Sequence, residues 1–270
     1  MDDDYFIGVH ARELERLKEQ HAAWQTETHA LWQRAGFGAG QHLADLGSGP
    51  GFSALDLAEI VGPMGRITAL DKATPFLGFL SGEAARRGLS NIHPVAADIT
   101  QVDVIEGPLN DAFCRFFLAF LIEDLDPVLA RVHRSLKPGG VFAAMEYLTL
   151  GSTTSSPPMR GFDAHTEAWK QYYLKHGADT EVGRGLPQKL AAAGFSVVDT
   201  RCVGGMAHAG SLGWKWWGRL IGDFGEKLAA DGLMSADDVL ALKQDWAAAS
   251  RLPNAFIHTP ILLRVVARKA

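Results

Sequence analysis

The stretch Asp45-Leu46-Gly47-Ser48-Gly49-Pro50-Gly51 decides the fold, because three glycines at alternate positions lie between an apolar run and a helical pattern. The apolar run, residues 42–46, is typical of a buried strand, and the helical pattern covers residues 52–61. Glycine has no Cβ atom, so the chain can turn sharply there and its backbone can approach a ligand closely. The following helix offers unpaired N–H groups and the positive end of its dipole. The sequence therefore predicts a ligand site in a strand–loop–helix unit.

The glycine spacing separates three classes of ligand for this loop. A dinucleotide loop requires G-x-G-x-x-G, but Phe52 stands where the third glycine would be. A phosphate loop requires a Gly-Lys-Ser/Thr sequence, and no lysine is present in the loop. The Asp45 carboxylate would repel a pyrophosphate, whereas it suits the cationic end of a methionine-like ligand. The loop sequence therefore excludes a phosphate loop, argues against a dinucleotide and favours a methionine-like ligand such as S-adenosylmethionine.

Short apolar runs alternate with helical stretches up to about residue 150. This alternation indicates parallel βαβ units in an α/β fold with a doubly wound sheet. Five strands are expected in this part, at residues 42–46, 66–71, 92–97, 111–117 and 141–147, and two later ones at 195–202 and 260–267.

The chain is expected to divide into a nucleotide-type core and helical additions. Residues 1–35 form an N-terminal helical segment, and residues 36–150 form the ligand-binding core. Residues 151–182 form a helical cap insertion after a Gly/Ser/Thr/Pro loop at 151–158. Residues 183–270 complete the core sheet and contain a second helical insertion at about 209–256.

Two acidic residues mark the ends of the second and third predicted strands. Asp71 lies twenty residues beyond Gly51, where a carboxylate can accept hydrogen bonds from both ribose hydroxyls of an adenosine. Asp98 is placed to accept a hydrogen bond from an adenine amino group. The alternative for both is that they merely cap helices. Ligands of such sheets bind across the carboxyl ends of the strands, so these carboxylates and the glycine loop form one expected site.

These segments resemble the class I S-adenosylmethionine-dependent methyltransferases, particularly their small-molecule branch. The resemblance implies a Rossmann-like methyltransferase fold, whose seven-stranded, mostly parallel sheet has its last strand antiparallel beside the fifth. The matching segments are residues 43–51, 65–71, 96–99, 111–115 and 136–140, and residues 36–148 carry the similarity most strongly.

The resemblance implies S-adenosyl-L-methionine as the cofactor and assigns its contacts. Arg115 would line the methionine end, although a structural ion pair is an equal alternative. Gln20 belongs to Glu13-x-x-Arg16-Leu17-x-x-Gln20, which resembles a segment that closes over the cofactor, as does the position of Tyr5; a surface ion pair between Glu13 and Arg16 is the alternative. The remaining contacts would be Asp45 and the loop glycines Gly47, Gly49 and Gly51 near the methionine, Asp71 at the ribose, and Asp98 and Ile99 at the adenine. Ser48 and Lys72 would also bind the cofactor.

The sequence indicates the acceptor site less clearly than the cofactor site. Methyl transfer from a sulfonium requires that the acceptor be aligned with the methyl group and that water be excluded, but it does not always require a base. We expect the catalytic group among Glu146, His165 and Tyr173, with Tyr147 and His208 as further candidates on the rim of the acceptor pocket. No His/Asp/Glu group has metal-ligand spacing, so no metal is expected. An aromatic pocket for a flat or apolar acceptor is predicted from Trp169, Tyr172, Tyr173, Trp214, Trp216 and Trp217, for which a packed core or a dimer contact is the alternative.

Charge and hydropathy limit the kinds of partner and the cellular location that we expect for the protein. The net charge of −5 and pI near 6.0 favour neither a nucleic acid nor an anionic membrane. The start Met1-Asp2-Asp3-Asp4 does not fit a signal peptide, and no run of eighteen apolar residues occurs. Cys114 and Cys202 lie in apolar runs and are expected to be buried and reduced. We expect a cytoplasmic monomer or homodimer that acts on a small molecule.

Three other functions stay open from the sequence. A protein or nucleic-acid methyltransferase is disfavoured by the acidic charge and by the absence of an Asn-Pro-Pro-Tyr motif after the fourth strand. A non-catalytic regulator that binds S-adenosylmethionine is disfavoured by the intact glycine loop. A nicotinamide oxidoreductase is disfavoured by the glycine spacing.

Overall fold

The N-terminal part of the described chain is a long helix that precedes the sheet. The structure is a computed structural model that describes residues 11–102, 105 and 107–270. Helix α1 (Ala11–Ala35) buries His21, Trp24, Thr28 and Leu31, which recur every three or four residues along one face. Its first half buries polar side chains instead, namely Glu13, Arg16 and Gln20.

The core consists of strands that alternate with helices, as the sequence predicts. The first five strands are β1 (His42–Leu46), β2 (Arg66–Asp71), β3 (Ile92–Ala96), β4 (Leu109–Arg115) and β5 (Leu136–Thr149). The helices between them are α2 (Phe52–Val61), α3 (Thr74–Arg87) and α4 (Leu125–Ser135). Strand β1 pairs in parallel with β2 on one side and with β4 on the other, and its residues from Leu43 to Leu46 are buried, as expected where helices cover both faces of a parallel sheet.

The second half of the chain adds two strands to this sheet and several helices outside it. The elements in order are β6 (Thr154–Ser156), α5 (Phe162–Lys175), α6 (Leu186–Ala192), β7 (Phe195–Val203), β8 (Met206–His208), α7 (Leu212–Arg219), α8 (Gly225–Ala230), α9 (Ala236–Ala249), β9 (Phe256–His258) and β10 (Ile261–Lys269). A π-helical segment, Leu220–Phe224, joins α7 to α8.

The main sheet has seven strands in the order β3-β2-β1-β4-β5-β10-β7. Strand β10 is antiparallel to both β5 and β7, whereas the pairs from β3 to β5 are parallel. This order and the antiparallel last strand confirm the expected Rossmann-like methyltransferase fold. Because β1 to β5 run in one direction, their carboxyl ends meet at one edge of the sheet.

Two local expectations are wrong. Residues 154–156, predicted as loop, form strand β6 in a second sheet with the order β6-β9-β8, because they pair with a segment about 100 residues later in the chain, which local patterns do not reveal. Cys114 is buried, but Cys202 is exposed, because β7 is the edge strand of the main sheet. No helix of the described residues is long and apolar enough to cross a bilayer.

Candidate cofactor and acceptor site

A cavity of about 390 Å³ lies at the carboxyl ends of β1 to β5 and beneath α1 and α5. This volume is within the range of small-molecule sites. The residues that the sequence predicts for the site, and that the structure brings together in its wall, are Gln20, Asp45, Gly47, Ser48, Gly49, Asp71, Lys72, Asp98, Ile99, Arg115, Tyr147 and Tyr173. Gly51, Glu146, His165 and His208 are not among the lining residues.

The glycine loop shapes the floor of this cavity. Gly47 has φ +64°, and a Cβ atom there would lie 2.1 Å from the Phe117 ring. Gly49 has φ +53°, and a Cβ atom there would meet no atom within 4 Å, so its open side faces the cavity. Gly51 instead packs against Leu80 of α3, where a Cβ atom would come within 2.4 Å. Gly51 therefore holds the two helices together and does not border the cavity.

Asp71 and Asp98 each fold the backbone at the end of a strand. Asp71 accepts hydrogen bonds from the N–H groups of Gly49 (2.7 Å) and Ala73 (2.8 Å), and burial raises its pKa. Asp98 accepts through one oxygen from the Thr100 N–H and hydroxyl groups, both at 2.8 Å. Both carboxylates also line the cavity, so the local capping role and a ligand-binding role are compatible.

Asp45 presents an acceptor without a partner. Its side chain is 2% exposed, and its Oδ2 atom has no hydrogen-bond partner. Burial raises the pKa of Asp45 to about 7, although the positive charge of Arg115 acts in the opposite direction. An unpartnered buried carboxylate oxygen is costly unless a ligand supplies a donor. Asp45 thus fits the ammonium group of a methionine-like ligand.

Arg115 connects the cavity to α1. Its guanidinium group donates to the Thr28 hydroxyl (2.7 Å) and to Nδ1 of His21 (3.1 Å). Burial lowers the pKa of Arg115 to about 10, and the Asp45 charge opposes this change. Since Nδ1 of His21 accepts here, the ring proton lies on Nε2, which is 3.2 Å from Oδ2 of Asp56. Arg115 is therefore a cationic cavity residue that also holds α1.

Asp56 of α2 provides a second attachment for α1. Its Oδ2 atom also accepts from Gln25 (3.1 Å) and His29 (2.9 Å). Burial alone would raise the pKa of Asp56, but the hydrogen bonds from His21, His29 and Gln25 lower it overall. Asp56 therefore stays ionised and fixes the middle of α1 over the core.

The N-terminal half of α1 covers the cavity. The Arg16 guanidinium group donates twice to the Glu13 carboxylate, at 2.6 and 2.7 Å, and the two residues are only 6% and 3% exposed. The alternative of a surface ion pair is therefore wrong, because the pair is buried. Arg16, Leu17 and Gln20 all line the cavity, in agreement with a segment that closes over a ligand. Tyr5 lies outside the described residues.

The end of the cavity beyond Arg115 is aromatic. Phe116 has φ +54°, a backbone conformation that is unusual for a bulky residue, and its ring centroid lies 4.9 Å from that of Tyr147. The Phe120 ring lies 5.6 Å from the Tyr173 ring. Sequence reasoning missed Phe116, Phe117, Phe120 and His176, although the three phenylalanines follow the carboxyl end of β4, which was a usable signal.

Glu146 holds the polypeptide that carries these phenylalanines. Its Oε1 atom accepts from the N–H groups of Phe117 (2.8 Å) and Leu118 (2.9 Å), whereas its buried Oε2 atom has no partner. Burial raises the pKa of Glu146 to about 7. Because Glu146 does not line the cavity, its placement argues against the predicted role as a general base.

His165 and the tryptophans belong to the interior of the helical layer. His165 is 0% exposed, and burial lowers its pKa to about 4, so its placement also argues against a catalytic role. The ring centroid of Trp169 lies 5.3 Å from that of Trp217 and 5.8 Å from that of Phe224. Of the predicted aromatic pocket, Tyr173 alone lines the cavity, while the tryptophans Trp169, Trp214, Trp216 and Trp217 are buried core residues.

Glu146→Gln is expected to weaken the pH dependence of stability. The pKa of Glu146 is higher in the folded than in the unfolded chain, so this residue stabilises most below about pH 4.5 and less as the pH rises through 7. The melting temperature of the wild type should fall between pH 5 and 8, and Glu146→Gln should remove part of that fall. Glu146→Ala should lower the free energy of unfolding at every pH, by about 1–3 kcal/mol for the lost acceptor. Equal pH profiles for wild type and Glu146→Gln would contradict this role.

Within residues 11–102, 105 and 107–270, no group of three or more His, Cys, Asp or Glu side chains could hold a metal ion.

Comparisons with known proteins agree with the fold. Residues 43–140 match the family model of the methyltransferase domain. A demethylmenaquinone methyltransferase of Geobacillus kaustophilus is 27% identical over 143 residues, or 53% of this chain and 56% of that protein. A nocamycin O-methyltransferase of Saccharothrix syringae is 35% identical over 101 residues, or 37% of this chain and 36% of that protein. The chain spans about half the length of the curated relatives it matches.

A solved structure shows the same fold over nearly the whole chain. Coclaurine N-methyltransferase, bound to N-methylheliamine and S-adenosylhomocysteine, has a TM-score of 0.59 at 18% identity, with 92% of this chain and 73% of that chain covered. The sheet order, the glycine loop and the carboxylates at the strand ends define a Rossmann-like methyltransferase fold. Residues 43–140 are thus similar to a methyltransferase domain, in agreement with the sequence motifs of the class I S-adenosylmethionine-dependent methyltransferases.

Proposed function

We propose that the protein transfers a methyl group from S-adenosyl-L-methionine to a small apolar or aromatic molecule. The observation that carries this proposal is one continuous cavity with two unlike ends. The loop glycines and strand-end carboxylates form one part of its wall, and the rings of Phe116, Phe120, Tyr147 and Tyr173 form another. Such an arrangement can place an acceptor beside the methyl group of the cofactor and keep water away from the atoms that react.

The polar end fits the parts of the cofactor. Asp71 would accept the ribose hydroxyls, and Asp98 with Ile99 would contact the adenine. Asp45 would accept from the ammonium group through its unpartnered Oδ2 atom, with Arg115 beside it. When bound, the cofactor supplies a methyl group on a positively charged sulfur. The contribution of the chain is to align the acceptor, exclude water and set the protonation of the acceptor.

The aromatic end supports a flat or apolar acceptor. Phe116, Phe117 and Phe120 offer ring faces, and Tyr147 and Tyr173 add polar groups that can orient a bound ring. Two relatives are named for the small molecules demethylmenaquinone and nocamycin, which supports the same class of acceptor. We also propose that the protein is a cytoplasmic monomer or homodimer that binds neither nucleic acid nor membrane.

Calorimetry with S-adenosylhomocysteine and with NAD tests the donor. We expect one molecule of S-adenosylhomocysteine to bind per chain and NAD not to bind, because Phe52 stands where a dinucleotide loop requires glycine. The melting temperature should rise with S-adenosylhomocysteine, since a ligand of the folded state stabilises it. Binding of NAD without S-adenosylhomocysteine would overturn the proposed function.

A further inference from the structure

We propose that the acceptor binds as an oxygen anion between the hydroxyl groups of Tyr147 and Tyr173 and the guanidinium group of Arg16, and that the protein supplies no general base. The inference rests on the proposed function and specifies its acceptor. The substrate class would be an acidic phenol, enol or hydroxyquinone.

Three separate elements bring these polar groups to one end of the cavity. Arg16 comes from α1, Tyr147 from the carboxyl end of β5 and Tyr173 from α5, and all three line the cavity. Each is at most 6% exposed, so the groups lie away from bulk water. Hydrogen bonds to an anion strengthen in such a setting, because the surroundings screen charge poorly.

Arg16 is the positive charge that acts on both hydroxyl groups. It lowers the pKa of both tyrosines, whereas Tyr173 and Glu146 raise the pKa of Tyr147, and Glu13 raises the pKa of Tyr173 by a smaller amount than Arg16 lowers it. The bidentate pair with Glu13 holds the guanidinium group in place. The end of the cavity is therefore suited to a negative oxygen.

The two tyrosines can donate hydrogen bonds but cannot remove a proton near neutral pH. Burial raises the pKa of Tyr173 to about 12 and that of Tyr147 well above its ordinary value. Tyr173, predicted as a catalytic group, is thus assigned to acceptor binding.

Other proton acceptors are paired, distant or exposed. Glu13 is buried nearby, but both its oxygens accept from Arg16 and it does not line the cavity. Asp45, Asp71 and Asp98 line the opposite, cofactor-binding end. Among the described residues at the aromatic end, His176 and Asp124 remain, and both lie in exposed positions.

An acceptor that arrives as an anion fits these groups. Its oxygen, or a carbon conjugated with that oxygen, supplies the electron pair of the new bond to the methyl group. The electron pair of the broken carbon–sulfur bond stays on sulfur. One negative and one positive charge disappear together, and no proton has to move to the protein.

A coloured phenol tests the inference without turnover. With the protein saturated with S-adenosylhomocysteine, 4-nitrophenol is titrated with pH, and the absorption band of the phenolate reports its ionisation. We expect the bound probe to ionise about tenfold more readily than the free probe, which is one pKa unit. Tyr147→Phe and Tyr173→Phe should each remove most of that shift.

Tyr172→Phe is the matched control, because Tyr172 lies on the same helix but does not line the cavity. It should leave the ionisation of the bound probe unchanged. An unchanged or raised pKa of the bound probe, or no binding of the probe, would overturn the inference while S-adenosylhomocysteine binding upholds the donor site. Failure to bind S-adenosylhomocysteine would instead reject the proposed function.

The pH dependence of methyl transfer separates acceptor ionisation from a protein base. With two phenols of different pKa, the midpoint of the rate profile should follow the phenol. His176→Gln should leave each midpoint in place. A midpoint that is the same for both phenols and moves in His176→Gln would show that His176 removes the proton and would overturn the inference.

Discussion

Asp71→Ala is expected to weaken the binding of S-adenosylhomocysteine about 100-fold or more. The carboxylate holds the loop through the N–H groups of Gly49 and Ala73, at 2.7 and 2.8 Å. In the proposed site the same oxygens accept from the ribose hydroxyls. Hydrogen bonds to a charged group contribute about 1.5–3 kcal/mol each, so the loss of two costs about 3 kcal/mol or more. Calorimetry at neutral pH measures this change directly.

Two further variants define what the carboxylate does. Asp71→Asn keeps one acceptor oxygen and should lose less affinity than Asp71→Ala. Asp126→Ala removes a surface carboxylate that pairs with Lys189 at 2.6 Å, and the affinity should stay within about twofold of wild type because exposed pairs contribute little. If Asp71→Ala binds S-adenosylhomocysteine as the wild type does, Asp71 is a structural residue of the loop.

The cofactor end was predictable because the topology fixes it. Parallel strands bring their carboxyl ends to one edge, so a glycine loop after β1 and carboxylates after β2 and β3 have to meet there. Asp45, Asp71 and Asp98 therefore line one cavity although 53 residues separate the first from the last. Gly51 is the exception in the loop, because its contact with Leu80 depends on how α3 packs.

The acceptor end depends on side-chain direction, which the sequence pattern left unresolved. Glu146 and Tyr147 are neighbours on β5 and point to opposite faces of the sheet, so only Tyr147 lines the cavity. His165 and Tyr173 are both on α5 but about 12 Å apart along its axis, and only Tyr173 reaches the cavity. Arg16 reaches it from the far end of the chain, through the docking of α1.

The tryptophans predicted to line the acceptor pocket lie outside the cavity. They pack against one another, as Trp216 and Trp217 do at 5.5 Å between ring centroids. Large rings are buried most effectively inside the helical layer, away from any ligand. Phe116, which does line the cavity, is held there by a backbone conformation that no sequence pattern announces.

Arg115→Met is expected to weaken both cofactor binding and the docking of α1. The guanidinium group donates to Thr28 and His21, and its charge opposes the protonation of buried Asp45. Without that charge, the pKa of Asp45 should rise above about 7, so that at neutral pH its carboxyl group is protonated and a poor partner for an ammonium group. We expect about 100-fold weaker binding of S-adenosylhomocysteine and a loss of stability of about 3 kcal/mol.

Arg264→Met is the matched control, because Arg264 of β10 also holds α1, through the backbone and the carboxylate of Glu27, but does not line the cavity. Both variants should melt at lower temperature, while only Arg115→Met should lose affinity. The affinity of the wild type should rise with pH as Asp45 loses its proton near pH 7, and the rise should move to higher pH in Arg115→Met. Equal affinities in the two variants would reduce Arg115 to a structural link between β4 and α1, since a residue that only docks the helix has no means of changing the protonation of Asp45.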